Sequence, residues 1–124
     1  MTRKEQTGNR EHDLFFSQWI RDNLRSSYDN FRVYDLDFIM WDKKTREVRL
    51  LELKSYGRDV RPDQKLMLDM FHQQFSLGMV DGWKYMGTHL IQFERSNFLD
   101  GKVFLNKKEI SEKELIKFLN FETN

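Results

Sequence analysis

Three charged side chains lie at the ends of two short apolar segments near the middle of the chain. Asp37 directly precedes the segment 38–41, and Glu52 and Lys54 end the apolar segment that follows. Side chains alternate faces along a strand, so Glu52 and Lys54 are expected to point the same way. A hairpin turning at residues 42–47 would bring Asp37 back beside Glu52. The spacing therefore predicts two carboxylates and one ammonium group in a single place.

Such a group of charges favours a divalent cation. Two carboxylates about 4 Å apart repel each other by roughly 4 kcal/mol at an effective dielectric of 20. Mg²⁺ relieves that repulsion with hard oxygen ligands, and it completes its shell with water and substrate phosphate. A water polarised by the metal and oriented by Lys54 is a suitable nucleophile for a phosphodiester. The predicted cofactor is therefore Mg²⁺, with Mn²⁺ as an expected substitute.

Two alternatives stay open at this point. A Glu-x-Lys pair is common on the solvent-facing side of a strand, so an ordinary charged strand would also explain Glu52 and Lys54. Asp35 competes with Asp37 for the role of metal ligand. Asp37 is preferred because it directly precedes the apolar run.

The stretch from about Glu11 to Gln64 resembles the PD-(D/E)xK nuclease superfamily, which includes restriction enzymes, archaeal Holliday-junction resolvases and the nuclease domains of recombination helicases. The resemblance implies an α/β fold with a restriction-endonuclease-like core, a short mixed sheet flanked by helices. It implies that Asp37, Glu52 and Glu11 are the metal ligands and that Lys54 positions the attacking water. Gln64 matches a glutamine that some branches of the superfamily carry in the active site.

The expected function is a Mg²⁺-dependent DNA nuclease, a structure-selective endonuclease of DNA repair, recombination, or phage or mobile-element biology. The alternative is a catalytically inactive nucleic-acid-binding or protein-interaction domain with the same fold. A metal-dependent hydrolase that acts on RNA is a second alternative. The sequence leaves open whether the substrate is DNA or RNA, branched or linear, and whether cleavage is internal or terminal. Many small members act as dimers, so a homodimer is an expectation.

Basic residues near these segments are the expected contacts to phosphate. Arg58, Arg61 and Lys65 follow the second apolar segment, and Lys43 and Lys44 lie in the expected hairpin loop. Each would add a small, salt-sensitive contribution to nucleic-acid binding. A solvated surface is the alternative explanation for each cluster, since the chain as a whole carries a formal net charge of only +1.

Length and composition limit the number of domains, the kinds of metal site and the location of the protein. The 124 residues fit one domain, with residues 1–8 as a polar lead-in, and 39% hydrophobic residues supply a core. The absence of cysteine excludes disulfides and thiolate metal sites. No apolar run is long enough to span a membrane and no signal-peptide segment follows Met1, so the expected location is the cytoplasm.

The apolar pattern predicts the elements that position the candidate site. A helix from about Asn9 to Leu24 is followed by the hairpin, and a second helix runs from Pro62 towards Leu77. Its expected buried face consists of six apolar residues, namely Leu66, Met67, Met70, Phe71, Phe75 and Leu77. A strand is predicted at 83–93 and a second hairpin at Asp100-Gly101, between 98–99 and 103–105. Ser111 to Glu114 forms a capping box for a last helix, and His89 is expected to be a satisfied strand histidine rather than a substrate ligand.

Overall fold

The computed structural model describes residues 10–25, 32–34 and 36–122, with side chains from Phe15 onward. The chain divides into two compact units, residues 1–34 and 35–124. The first contains helix α1 (Arg10–Asn23), as the apolar period predicted. Asn9, the predicted start of this helix, lies outside the described residues. A single domain over residues 1–124 stays a prediction.

The second unit is a mixed sheet with two helices. Its elements are β1 (Phe38–Asp42), β2 (Glu47–Lys54), α2 (Pro62–Ser76), β3 (Lys84–Phe93), β4 (Val103–Leu105), β5 (Lys108–Ile110) and α3 (Glu112–Leu119). The strands form one sheet in the order β1-β2-β3-β4-β5. β2 and β3 are parallel and are joined through α2, whereas the other neighbouring strands are antiparallel. The predicted α/β class is thereby confirmed.

The first hairpin has the register that the charge spacing required. Phe38 pairs with Leu51, and Asp42 pairs with Glu47 across the turn. One step beyond Phe38, the same register places Asp37 opposite Glu52, at the open end of the hairpin. The pairing register of the two apolar segments therefore brings the two carboxylates together.

Alternation along β2 separates the core from the charged side chains. Leu51 and Leu53 face the same side as α3, where Leu115 is fully buried in the main core cluster. Glu52 and Lys54 are one residue out of step with them, so they point to the opposite face, which α2 partly covers. The core lies on one side of the sheet and the candidate site on the other.

Helix α2 begins at Pro62, whose fixed φ suits the first helical position. Its buried residues are Gln64 and Leu68. The predicted buried face was wrong for four of its six members: Leu66, Met70, Phe71 and Leu77 are 64%, 59%, 37% and 83% exposed. The hydrogen bond from Gln64 to Glu52 sets the rotation of the helix about its axis. At 3.6 residues per turn, that rotation directs Leu66, Met70 and Leu77 away from the sheet.

The hairpin predicted at Asp100-Gly101 was wrong in its turn and in its first strand, 98–99, whereas its second strand, 103–105, is confirmed as β4, which pairs antiparallel with β3. Residues 94–102 form a loop rather than a strand and a turn. The Asp100 carboxylate accepts hydrogen bonds from the backbone N–H groups of Ser96 and Asn97 and from the Ser96 hydroxyl. A side chain so engaged closes the loop on itself.

A tight two-residue turn lies at Asn106-Lys107, between β4 and β5, where both residues have positive φ. β5 is a strand that the sequence did not reveal. The predicted capping box is confirmed: the Ser111 hydroxyl accepts from the backbone N–H of Glu114, and the Glu114 side chain accepts from the backbone N–H of Ser111. In the described part of the chain no helix is both long enough and apolar enough to cross a membrane.

Candidate active site

Glu52 is the centre of the site. The residue is 5% exposed, although it carries a carboxyl group in the middle of a strand. Its Oε1 accepts a hydrogen bond of 2.8 Å from the Gln64 amide and lies 3.4 Å from the Lys54 ammonium. Its Oε2 has no hydrogen-bond partner among the described residues. Burying an acceptor without a partner is costly, so the free energy of this arrangement improves if a positive group reaches Oε2.

Lys54 lies on the same face as Glu52, as the alternation predicted. Its side chain is 22% exposed, against 6% for the Glu52 side chain. The ammonium group is therefore held by the buried carboxylate on one side and remains accessible on the other. Such a group can act on a molecule that approaches from solvent.

Asp37 is held beside this pair by the backbone of β2. One carboxylate oxygen, Oδ2, accepts a hydrogen bond of 2.8 Å from the backbone N–H of Leu53, the residue between Glu52 and Lys54. This bond orients an exposed carboxylate at the open end of the hairpin. The structure therefore brings Asp37, Glu52 and Lys54 together.

Gln64 is an unusual residue to find buried in the first turn of a helix, at 5% exposure. Its amide bond to Glu52 explains the burial and brings the N-terminal turn of α2 to the site. The N-terminus of a helix carries partial positive charge from unsatisfied N–H groups. The helix thus favours negative charge at Glu52 without adding a cationic side chain.

The electrostatics of the site act against ionised Glu52 in the absence of a cation. Burial raises the pKa of the Glu52 carboxyl, and the negative charge of Asp37 raises it further. The hydrogen bond from Gln64 and the charge of Lys54 lower the pKa again, but the upward effects prevail. A cation bound between Glu52 and Asp37 would offset both effects, because its positive charge compensates the buried carboxylate for lost water and screens the repulsion between the two carboxylates.

The donor set fits a hard divalent ion. Glu52 Oε2 and the Asp37 carboxylate are anionic oxygens, and Mg²⁺ is commonly held by one or two carboxylates, with waters and substrate phosphate as its other ligands. Among residues with described side chains, no group of three or more His, Asp or Glu is placed to hold a metal ion. Two carboxylates are therefore what the described residues offer.

Two residues weighed as ligands fall outside the described side chains. Glu11 lies in the first turn of α1, where side chains are described only from Phe15 onward. Asp35, the competitor of Asp37, is not among the described residues. A role for either residue stays a prediction.

Three of the predicted phosphate contacts lie close to the site along the chain. Arg58 and Arg61 are exposed in the segment between β2 and α2, and Arg61 precedes the first turn of α2. Lys65 is exposed one residue after Gln64, and its ammonium group pairs with Asp69 at 2.8 Å. Their nucleic-acid contacts stay predictions.

Lys43 and Lys44 lie in the turn between β1 and β2, far from Glu52. The strand rises about 3.3 Å per residue, so the five steps from Glu47 to Glu52 span about 16 Å. Lys43 lies over the ring of Trp41 at 5.5 Å. Any phosphate that these lysines bind is a different one from the phosphate at Glu52.

Sequence reasoning missed Gln92, which is 8% exposed on β3 and pairs in register with Lys54. Its side-chain amide donates a hydrogen bond of 2.8 Å to the backbone carbonyl of Arg58. Gln92 therefore anchors the loop that follows Lys54. The signal was one polar residue within the apolar run 90–93.

His89 is engaged within the protein, as expected. Its Nε2 lies 2.9 Å from the carbonyl of Met86, its Nδ1 lies 2.9 Å from the Asn106 amide, and its ring packs edge-on against Phe118. Burial is the main reason why its pKa is lowered, and the charge of Arg49 adds to the effect. His89 belongs to the α3 side of the sheet rather than to the Glu52 side.

Comparison with known proteins finds a relative whose function is not described. An uncharacterised protein from Archaeoglobus fulgidus is 33% identical over 95 residues, which cover 75% of this chain and 62% of the relative. The chain thus spans less than two thirds of that protein's length. No family model and no solved structure matches the chain.

Proposed function

We propose that this chain is a Mg²⁺-dependent nuclease of the PD-(D/E)xK class, with a restriction-endonuclease-like core, that hydrolyses phosphodiester bonds in DNA. The observation that carries the proposal is the buried Glu52 carboxylate. One of its oxygens is fixed by Gln64 and Lys54 while the other has no partner among the described residues. An ordinary charged strand would expose such a carboxylate to water.

The described residues divide the chemistry among them. Asp37 and Glu52 would hold the metal, which when bound would supply positive charge to polarise water and the scissile phosphate. Gln64 keeps the Glu52 carboxylate in one orientation, and the Leu53 N–H does the same for Asp37. Lys54 orients the attacking water and faces the negative charge that develops on the phosphate.

The catalytic group and the basic residues suggest how a polyanion would lie. Lys54 ends β2, and Arg58, Arg61 and Lys65 follow within the next eleven residues. Positive groups near a cleavage site neutralise backbone phosphates without reading base sequence. Contacts of this kind favour recognition of DNA structure over recognition of a long base sequence.

The test is cleavage by the purified chain of four DNA substrates: plasmid, linear duplex, single-stranded and branched. Each is incubated with Mg²⁺, with Mn²⁺ and with a chelator, beside a single-stranded RNA. We expect DNA cleavage with either metal and none with the chelator. Cleavage of the RNA alone would instead support the RNA hydrolase.

Matched lysine variants exclude a contaminating nuclease. Lys54→Ala should lose cleavage, whereas Lys113→Ala, at an exposed position on α3, should retain it. Equal cleavage by both variants would assign the activity to something other than this site. Binding of DNA without cleavage of any substrate would favour the inactive nucleic-acid-binding domain.

A further inference from the structure

The loop directly after the candidate active site presents an aromatic ring to solvent. Tyr56 lies two residues beyond Lys54 and is 63% exposed. Two residues span at most about 7 Å between their Cα atoms. The ring therefore lies within reach of whatever is bound at Lys54.

The backbone of Tyr56 adopts a conformation that is unfavourable for a bulky residue. Tyr56 has φ 57° and Gly57 has φ 67°, and the N–H of Arg58 donates to the carbonyl of Ser55 at 3.2 Å, as in a type I′ turn. The left-handed region suits Gly and Asn at the central positions of such a turn, whereas it is strained for a bulky residue. Tyrosine is therefore not the residue that the turn itself would favour.

Packing does not explain the tyrosine either. Phe121 also has positive φ, but its ring lies against the buried Arg49 guanidinium at 4.3 Å. The described ring contact of Tyr56 is with the exposed Arg58, at 6.0 Å. Strain that is kept without a packing benefit is typical of functional positions.

The loop is rigid enough to serve as a platform. The Tyr56 N–H donates to the carbonyl of Arg95 at 2.8 Å, and the Gly57 N–H donates to the carbonyl of Phe93 at 3.0 Å. The buried Gln92 amide holds the carbonyl of Arg58 from the sheet. With the backbone held in this way, only the two side-chain torsions of Tyr56 remain to be ordered when a flat ligand stacks on its ring, so the entropy cost of stacking is small.

We infer that Tyr56 stacks on an unpaired nucleobase next to the scissile phosphate, so that the preferred substrate carries a single-stranded nucleotide at the cleavage point. This inference rests on the proposed function. Arg58 beside the ring would contact the phosphate that follows the stacked base. Bases inside an intact duplex have no free face to offer, so duplex DNA would gain nothing from Tyr56.

The test uses binding in the presence of a chelator, where no cleavage occurs. The probe is a single-stranded oligonucleotide that contains 2-aminopurine, whose fluorescence is quenched by stacking; a fully duplex oligonucleotide is the reference. We expect quenching with the unaltered chain and with Tyr56→Trp, and loss of quenching with Tyr56→Asn. The affinity of Tyr56→Asn for the single strand should fall about 5- to 100-fold, with no change for the duplex.

Asparagine separates stacking from folding. Asn tolerates positive φ, so Tyr56→Asn should melt at the same temperature as the unaltered chain or higher. Trp41→Thr is the matched control, because Trp41 is 58% exposed at the far end of the hairpin and should leave quenching unchanged. Unaltered quenching and affinity in Tyr56→Asn would overturn the inference, as would an unaltered chain that binds no single strand.

Cleavage of the same oligonucleotides with Mg²⁺ separates this inference from the proposed function. If Tyr56→Asn cleaves at the unaltered rate and with the unaltered substrate preference, the nuclease function is supported and the stacking role of Tyr56 is refuted. If single-strand binding depends on Tyr56 but the unaltered chain cleaves no substrate, the stacking role of Tyr56 is supported and the nuclease function is refuted.

Discussion

Replacing Glu52 by glutamine should make the metal-free protein more stable and the candidate site inactive. The substitution keeps the shape of the side chain, and the new amide oxygen can still accept from Gln64. It removes the charge that burial and Asp37 both oppose. The new amide nitrogen, in the place of Oε2, can donate to a neighbouring carboxylate such as Asp37.

The size of the effect follows from two opposing contributions. Relief of a buried acceptor without a partner is worth about 1–3 kcal/mol. Loss of the contact with the partly exposed Lys54 costs about 0.5–1 kcal/mol, because that ammonium group can turn to solvent. The difference between the two contributions is a free energy of unfolding about 0–2.5 kcal/mol higher, with a midpoint near 1 kcal/mol, which corresponds to a melting temperature roughly 4 °C higher.

The difference should depend on pH in one direction. A carboxyl group whose pKa is raised by folding binds a proton more tightly in the folded protein, so its cost appears as the pH rises from the unfolded pKa to the folded one. Above the folded pKa of Glu52 the variant keeps its full advantage. As the pH falls through that value, Glu52 becomes neutral and the two proteins should converge.

Calorimetric melting with a chelator and with increasing Mg²⁺ measures both effects. At a free Mg²⁺ concentration 100 times the dissociation constant, metal binding should stabilise the unaltered chain by about 2.7 kcal/mol and the variant by far less. Asp69→Asn is the control, since it neutralises an exposed carboxylate on α2 that pairs only at the surface. A melting temperature lowered by Glu52→Gln but not by Asp69→Asn would contradict the expected stabilisation, and an equal response of both variants to Mg²⁺ would contradict metal binding at Glu52.

Three further substitutions separate catalysis, positioning and stability. Lys54→Ala should lower single-turnover cleavage about 10²- to 10³-fold while folding and DNA affinity stay close to normal, as rates and melting curves of one preparation would show. Gln64→Ala removes the hydrogen bond that lowers the pKa of Glu52, so metal binding measured by titration calorimetry should move to higher pH; an unmoved profile would make Gln64 a packing residue only. Arg49→Ala should cost about 2–4 kcal/mol in urea denaturation without changing cleavage per folded molecule, because its guanidinium lies on the Phe118 ring at 3.8 Å and away from Glu52.

Local sequence patterns predicted the structure correctly where contacts between residues close along the chain determine it. The strand pair around residues 42–47 followed from alternation and a polar turn, and its register placed Asp37 near Glu52. The capping box at Ser111 followed from two side chains three residues apart. In each case the neighbours along the chain supply the contacts that decide the outcome.

Hydrogen bonds that apolar spacing and turn residues do not reveal account for the failures. The rotation of α2 depends on Gln64 meeting Glu52, twelve residues earlier, and apolar spacing alone assigned the wrong face to Leu66 and Met70. The loop at Asp100 depends on a carboxylate that bonds to Ser96 and Asn97 rather than turning a hairpin. Neither the rotation of α2 nor the shape of this loop can be derived from residue types alone.

The same limit applies to the site. Asp37, Glu52 and Lys54 were found because their spacing matches the alternation of paired strands. Gln92 was missed because its function depends on β3 lying parallel to β2, which joins it to the carbonyl of Arg58. Tyr56 was missed because its positive φ and the exposure of its ring cannot be read from a pattern of residue types.

The most direct test of the central claim is the single-turnover rate of DNA cleavage with Mg²⁺ for three proteins prepared in parallel. These are the unaltered chain, Glu52→Gln and Asp69→Asn. If Glu52 is the buried ligand of a metal-dependent nuclease, the first and third should cleave at equal rates and the second should not cleave, although it is the most stable of the three without metal. Cleavage by Glu52→Gln at the rate of the unaltered chain would contradict that claim.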